Sequence, residues 1–233
     1  MTTKEESKLK RRGIAMLLVF FIILGVLFSP VFPGKLHGLD YIDNLFNMIS
    51  KGSSDFISLQ IEENKAFTES TLDQQINLPS EGQAEHFAHQ LTVSGLTASV
   101  SGTTVTIAGN MVEMVTSCLA DSRAMFDNNG SVVEEKYGFS GREALFNWWT
   151  GYEAINKNFN SKKKFKEAKF LGNIEKRVLE PAYNYYGIEA HPWKANVTMI
   201  LLALGFYVFY TVWYGFGILY LFEGLGLKIG QSH

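Results

Sequence analysis

The sequence predicts an α+β protein in which two transmembrane helices flank an exported domain, itself a small β-α-β-β-α module followed by a helical hairpin. Two observations predict the spans and one predicts the domain. The stretches Ile14–Phe32 and Ala195–Phe222 contain no charged residue. Between them, apolar residues alternate first at strand spacing and then at helical spacing. The predicted segments are a cytoplasmic basic tail (1–13), transmembrane helix 1 (14–33), a juxtamembrane amphipathic helix and linker (34–70), a small α/β module (71–130), a helical subdomain (131–194), transmembrane helix 2 (195–222) and a cytoplasmic tail (223–233).

The first apolar stretch has the length of a membrane span. Nineteen helical residues from Ile14 to Phe32 would extend roughly 28 Å, close to a hydrocarbon core of about 30 Å. The basic sequence KLKRR precedes it, and SPVFPG follows it in place of a small-x-small cleavage site. We therefore expect an uncleaved signal anchor.

The second apolar stretch is longer than an upright span requires. Its 28 residues, Ala195 to Phe222, would tilt or protrude into one interface. Trp193 and Lys194 precede it, and an amphipathic ring and an ammonium group both suit the headgroup region. Glu223 then marks the exit from the membrane.

Charge at the N-terminus predicts the orientation. Five basic residues and two acidic ones precede the first span, and such a tail usually stays in the cytoplasm. We therefore expect a two-pass protein of the bacterial inner (cytoplasmic) membrane, with both termini cytoplasmic and the central domain exported.

Residues 34–130 predict a helix and then a mixed module. Apolar residues from Leu39 to Ile49 recur at helical spacing, and Gly52 follows them. From Thr71 to Phe126 the spacing predicts strand, helix, strand, strand and helix, with Ser80 and Asn110 as helix N-caps and a hairpin at Ser101-Gly102. This order resembles the small split α/β modules of the ferredoxin-like or KH-like kind, and the resemblance implies a protein-docking unit.

Residues 131–194 predict two packed helices. Ser140 and Glu143 form a capping-box pattern before a stripe of apolar residues that includes Trp148. A second helix is expected from Ser161 to about Leu179, ended by Pro181. The cations Lys162, Lys163 and Lys164, with Trp193 and Lys194, are candidate contacts to anionic lipid headgroups. A solvated helix face explains these lysines equally well.

No motif indicates a catalytic or metal centre. His86 and His89 stand three residues apart without a third ligand at motif spacing, so we predict no metal site. Cys118, the single cysteine, falls on the apolar side of its helix and is expected to be buried. His37 and His191 lie just outside the two predicted spans and could hold a haem or contact a quinone, although two interfacial histidines arise readily without a cofactor. Nucleic acid is not an expected partner.

Tyrosines in the second span pose a solvation problem. On a helix, Tyr207, Tyr210 and Tyr214 fall within about 60° of one another, near the middle of the span. An unbonded hydroxyl in hydrocarbon costs several kcal/mol. The first span offers Ser29 as its polar side chain, near its outer end, so we expect the tyrosine stripe to bind a partner: another subunit, a second copy, a polar lipid or a quinone. The alternative is that these tyrosines bond to their own helix backbone or tilt toward an interface.

These observations favour a non-enzymatic accessory or assembly subunit of a membrane protein complex. It would act through its exported domain and through the aromatic transmembrane face. One alternative is a protein like the polysaccharide chain-length regulators, which also place an exported α/β domain between two spans. Another is a redox-complex subunit with haem or quinone contacts at His37 and His191.

Overall fold

The chain is mainly helical. A computed structural model describes residues 3–227, apart from the side chains of Trp193 and Ala195. Helix accounts for 73% of the structure, with one small three-stranded sheet. The elements are α1 (Thr3–Leu27), α2 (Gly38–Ser53), α3 (Ile57–Asn64), β1 (Thr71–Asn77), α4 (Glu81–Val93), β2 (Thr97–Ser101), β3 (Thr104–Asn110), α5 (Met111–Phe126), α6 (Gly130–Tyr137), α7 (Gly141–Ser161), α8 (Phe165–Ile174), α9 (Glu180–Asn184) and α10 (Trp193–Gly224).

The predicted fold class, an α+β domain between two transmembrane helices, is wrong. Within residues 3–227 one helix, Asn196–Gly224 of α10, is long and apolar enough to cross a membrane. The apolar run beginning at Ile14 leaves the helical path at Leu27, because Pro30 and Pro33 lie just beyond. The apolar helical part of α1 is therefore only about 21 Å long, short of a bilayer core of about 30 Å.

The chain divides into two compact units. The helix-pair unit comprises the described residues of Met1–Ile49 and His191–His233, and the central domain comprises Ser50–Ala190. The helix-pair unit contains α1, most of α2, and α10. The central domain contains α3 to α9 and the sheet.

The sheet of the central domain has strand order β1-β3-β2 and is antiparallel throughout. The β2–β3 hairpin turns at Gly102, whose positive φ of 59° suits glycine. The predicted caps are confirmed: Ser80 Oγ accepts a hydrogen bond from Gln83 N, and Asn110 Oδ1 accepts one from Val112 N. Short-range capping chemistry is thus readable from the sequence even where the fold class is not.

A single apolar core joins the sheet to the helices of the central domain. Phe87 of α4 packs edge-on against Trp148 of α7, with ring centroids 5.6 Å apart. A Cβ atom at Gly151 would overlap the Phe87 ring, so α7 can approach α4 this closely only with glycine there. The predicted core position of Trp148 is confirmed.

The helical hairpin predicted after residue 140 is more broken than expected. Helix α7 ends at Ser161 with Lys162 as its C-cap, and the next helix begins at Phe165 and ends at Ile174. A π-helical turn, Glu175–Leu179, leads into α9, which runs through Pro181 to Asn184. Pro181 therefore lies in the first turn of α9, where the missing N–H of proline leaves no helix hydrogen bond unmade. The prediction that Pro181 ends a helix is wrong. The sequence analysis also missed the short helices α3 and α6.

Candidate partner-binding site

The helix-pair unit is built on the antiparallel packing of α1 against α10. Residue 13 of α1 lies against Leu221, and residue 20 lies against Tyr210. Glycines allow the backbones to approach closely at one end of the pair. A Cβ atom at Gly13 would lie 2.5 Å from the Leu221 backbone nitrogen, and one at Gly224 would overlap the Lys10 backbone. The backbones of α1 and α10 are therefore in close contact at this end of the helix pair.

Two neighbouring glycines of α10 have different surroundings. A Cβ atom at Gly217 would lie 3.1 Å from the Leu17 side chain, so Gly217 packs against α1. Gly215 faces open space. Two neighbouring glycines therefore differ only in whether α1 lies against them.

The deepest tyrosine hydroxyl finds an acceptor within its own chain. Tyr210 stands at the midpoint of the Asn196–Gly224 segment, and its hydroxyl donates to the Phe20 carbonyl oxygen at 2.9 Å. Trp213 Nε1 donates in the same way to the Met16 carbonyl at 3.0 Å. The expectation that α1 offers no mid-depth acceptor is therefore wrong for Tyr210, because a helical carbonyl retains a second lone pair after its helix bond is made.

The other two tyrosines of the stripe are not satisfied in this way. The Tyr207 and Tyr214 hydroxyls make no hydrogen bond within residues 3–227, and their side chains are 64% and 40% exposed. The Tyr214 ring packs on Phe20, with centroids 4.6 Å apart. Tyr207 is thus the most exposed member of the stripe and lies only one helical turn from the midpoint of α10.

Tyr207 lines an apolar groove of about 640 Å³ within the helix-pair unit. Its walls come from α1, α2 and α10. Tyr207, Tyr210, Tyr214 and Thr211 bring hydroxyl groups to it, and the Thr211 hydroxyl bonds back to its own helix. The remaining lining residues are apolar: Phe20, Leu24, Leu27, Phe28, Leu39, Ile42, Phe46, Ile200, Ala203, Leu204 and Phe206.

Sequence reasoning found one wall of this groove and missed another. The tyrosine stripe was selected correctly as a common face of α10. The contribution of Leu39, Ile42 and Phe46 was missed, although they lie on the apolar stripe of α2 that the spacing already revealed. An unassigned amphipathic stripe next to an aromatic helix was the signal that could have identified the groove.

The two histidines predicted as cofactor ligands both lie in the helix-pair unit. His37 and His191 are both exposed, and no contact joins their rings. The His191 backbone N–H instead donates to the Met48 carbonyl at 3.0 Å. A haem or quinone site at these two histidines remains a prediction.

In the central domain the other two histidines point to different partners. His86 Nδ1 lies 2.6 Å from Glu143 Oε1, while the exposed His89 meets the Tyr137 ring edge-on. Among the described residues no group of three or more His, Cys, Asp or Glu side chains could hold a metal ion.

The lysines selected as lipid contacts are partly engaged elsewhere. Lys162 Nζ donates to the Asp73 carbonyl at 3.1 Å, and Lys164 Nζ lies 5.7 Å from the centre of the Phe159 ring. Lys163 has a positive φ of 60° in the loop after α7, and Lys194 is exposed. The side chain of Trp193 lies outside the described residues. A role for this set at a membrane surface stays a prediction.

The central domain holds a buried charged cluster that the sequence analysis did not foresee. The Asp121 carboxylate accepts hydrogen bonds from Tyr137 Oη at 2.6 Å, Trp148 Nε1 at 2.8 Å and Lys136 Nζ at 2.7 Å. Burial, followed by the neighbouring Asp121 carboxylate, raises the pKa of the Tyr137 hydroxyl, which keeps it a neutral donor. Three donors thus share one carboxylate as their hydrogen-bond acceptor, and we interpret the cluster as a structural element of the core.

The predicted burial of Cys118 is confirmed. It lies on α5 and is fully buried, and burial raises the pKa of its thiol to about 12. The thiol is therefore neutral at physiological pH and unsuited to nucleophilic attack.

Comparison with known proteins adds no family. No protein-family model matches the chain, and neither a curated protein nor a solved structure is detectably similar to it. Its function must therefore be argued from its own helices, groove and polar groups.

Proposed function

We propose that this protein is a non-enzymatic, membrane-associated accessory subunit that binds a helix of another membrane protein in the groove of the helix-pair unit. The observation that carries the proposal is the Tyr207 hydroxyl, exposed on α10 near its midpoint without an acceptor in the described chain. Lipid chains supply no acceptor, and an unbonded hydroxyl in hydrocarbon costs several kcal/mol.

The hydrogen bond of Tyr210 supports a helix as the partner of Tyr207. The Tyr210 hydroxyl bonds a backbone carbonyl of the adjacent helix α1. A second helix lying along the groove presents a carbonyl to Tyr207 by the same geometry. The apolar walls from α1, α2 and α10 supply the packing surface that such a helix needs in a membrane, where association depends on close van der Waals contact.

Membrane association rests on α10. No residue in the most apolar 18-residue window of this helix is buried within the chain, so α1 covers only one side of it. We propose the bacterial cytoplasmic membrane as its location, with the C-terminal end of α10 at the inner face. Lys10 lies beside Gly224, and the Arg12 guanidinium stacks 4.5 Å from the Tyr220 ring centre, so basic groups accompany that end.

The experiment is purification from native membranes in mild detergent, comparing wild type with Y207F/Y214F. Both hydroxyls are removed while the rings stay, so folding should be preserved. We expect recovery of a partner that has an apolar helix to fall at least fivefold, whereas Y183F, an exposed tyrosine of the central domain, should leave recovery unchanged. Equal recovery with and without the two hydroxyls would contradict the proposal, as would a complex that contains only lipid.

A further inference from the structure

The central domain carries a second recess, far richer in polar groups than the groove. It has a volume of about 490 Å³ and lies between the end of α7, α8 and the π-helical turn. Volumes of this size are typical of small-molecule sites. The polar lining residues of the recess are Asn156, Asn160, Lys169, Asn173, Glu175 and Lys176.

Glu175 is the unusual residue of this recess. Its Oε1 atom is buried and has no hydrogen-bond partner among the described residues. Glu175 also begins the π-helical turn, and single π-helical turns are frequent at functional sites because they re-aim side chains. An unpartnered carboxyl oxygen on such a turn indicates a position prepared for a donor from outside the chain.

Two asparagine side chains, Asn156 and Asn160, line the recess beside this carboxyl. Asn160 Nδ2 donates at 3.0 Å both to the Asn156 backbone carbonyl and to Asn156 Oδ1. With the Asn160 nitrogen engaged in this way, the Asn160 side-chain oxygen and the Asn173 amide are left to meet a ligand in the recess.

The charges around Glu175 argue against a charged ligand. Burial is the largest cause that raises the pKa of the Glu175 carboxyl, followed by the nearby Glu153 of α7 and Glu180 of α9. Lys176 lowers it, and the resulting pKa is about 7. Lys169 and Lys176 also line the recess. An anion in the recess would meet the Glu175 carboxylate, and a cation would meet the two ammonium groups.

Hydroxyl groups suit this set of side chains better than any other chemistry. A hydroxyl both donates and accepts, so it can pair with an amide oxygen, an amide nitrogen, an ammonium group or a carboxyl in either protonation state. The Phe165 ring, 62% exposed at the edge of the recess, supplies an apolar surface for the C–H face of a ring. Hydroxyls arranged around an apolar ring face describe a sugar.

We infer that this recess binds a neutral sugar ring, with Glu175 and Asn173 as hydrogen-bonding residues and Phe165 as the stacking surface. Glu175 accepts a ligand hydroxyl when ionised and donates to one when neutral, so affinity should change little between pH 6 and pH 8. An amine ligand would bind more tightly as pH rises through 7 and Glu175 becomes charged. A carboxylate ligand would do the reverse.

The test is saturation-transfer NMR on the full-length protein with methyl glycosides of neutral hexoses and of N-acetylhexosamines. The protein is held in a detergent without a sugar headgroup, because a glycoside detergent would compete. We expect saturation transfer from at least one glycoside, and at least tenfold weaker binding by E175Q and by F165A. F146A, which removes an exposed phenylalanine of α7 outside this recess, should bind like wild type.

Foldedness is checked on each variant by circular dichroism. N173A provides a second variant if E175Q alters stability. An oligosaccharide that binds more tightly than its methyl glycoside would identify a polymer as the source of the sugar, and equal affinity would identify a free sugar. Absence of transfer from every glycoside, equal binding by E175Q, F165A and wild type, or transfer from methylammonium or acetate alone would overturn the inference.

Discussion

In the central domain, a buried tyrosine and a buried tryptophan donate to a carboxylate, whereas a tyrosine and a tryptophan of the helix-pair unit donate to backbone carbonyls. Asp121 receives Tyr137, Trp148 and Lys136 together. Tyr210 and Trp213 each receive one carbonyl of α1. A carboxylate in a protein core is stabilised when several donors bind it at once, but the same charge would be costly in hydrocarbon. A backbone carbonyl of a neighbouring helix is neutral, so it can accept a hydrogen bond there without that cost.

The two units also differ in the polar groups that lack a hydrogen-bond partner within the described chain. The helix-pair unit has tyrosine hydroxyls exposed on an apolar groove, and the central domain has a carboxyl oxygen at a polar recess. Glu175 is one of several central-domain residues with a buried polar atom that lacks a partner in the described chain, and it is the one that lines this recess. The difference supports a helix as the proposed occupant of the groove and a small polar molecule as the proposed occupant of the recess.

Removing Asp121 should have the largest effect on the central domain. D121A leaves the buried Tyr137 and Trp148 donors and the Lys136 ammonium without their common acceptor, so we expect a loss of about 3–5 kcal/mol in the free energy of unfolding. Guanidinium unfolding of the full-length protein in detergent, followed by near-ultraviolet circular dichroism, measures it. The exposed Asp73 provides the control: D73N should change stability by less than about 0.5 kcal/mol. Equal values for the two variants would remove the contrast between the units.

Adding a methyl group at Gly13 should have the next largest effect, and this effect should be confined to the helix-pair unit. In G13A the new methyl group meets the Leu221 backbone, which cannot rotate away, so we expect a loss of about 1–3 kcal/mol. Titration with dodecyl sulfate, followed by helical circular dichroism, reports on the packing of α1 against α10. G215A places the same methyl group in open space and should unfold like wild type.

The raised pKa of Glu175 predicts a pH dependence of the stability of the central domain. The folded-state pKa of Glu175, about 7, exceeds its usual value of 4.5. The folded chain therefore holds more protons than the unfolded one between these values, and stability should fall as pH rises from about 4.5 to 7. Allowing for solvent screening, the fall should be on the order of 1–2 kcal/mol.

The variant E175Q should flatten this part of the profile, and the exposed E85Q should leave it as in wild type. Chemical unfolding at a series of pH values measures the slope. A slope that survives in E175Q would assign the effect to another group.

Removing the hydroxyl of Tyr210 should have the smallest effect. Y210F loses one bond to the Phe20 carbonyl, and interhelical bonds in membranes contribute about 0.6–1 kcal/mol. Y214F removes a hydroxyl that bonds nothing in the described chain, so the purified protein should tolerate it. The dodecyl sulfate titration distinguishes the two variants, and a Y214F loss equal to that of Y210F would show that the comparison of these hydroxyls is wrong.

The sequence predicted local chemistry better than architecture. Ser80, Asn110 and Ser140 cap helices as expected, because a cap depends on residues only two or three positions away. Cys118 and Trp148 are buried as their helical faces predicted. Such signals lie within one element and survive whatever tertiary arrangement surrounds them.

The failures arose where the answer depended on distant parts of the chain. The end of α1 at Leu27 turned a predicted span into a shorter helix, because apolar composition alone does not locate a helix terminus. The Phe20 acceptor was missed because every helical carbonyl looks alike in a sequence. The Asp121 cluster joins residues up to 27 positions apart, and no motif marks it.

Site-specific photocrosslinking in native membranes tests the proposed function most directly. A benzophenone amino acid would replace Tyr207 in one variant and Phe209 in another. These side chains are 64% and 62% exposed, and they point to opposite sides of α10. We predict a discrete polypeptide adduct from position 207, mapped to an apolar helix of the captured protein, and none from position 209. Equal adducts from both positions, or lipid adducts alone at 207, would contradict the account.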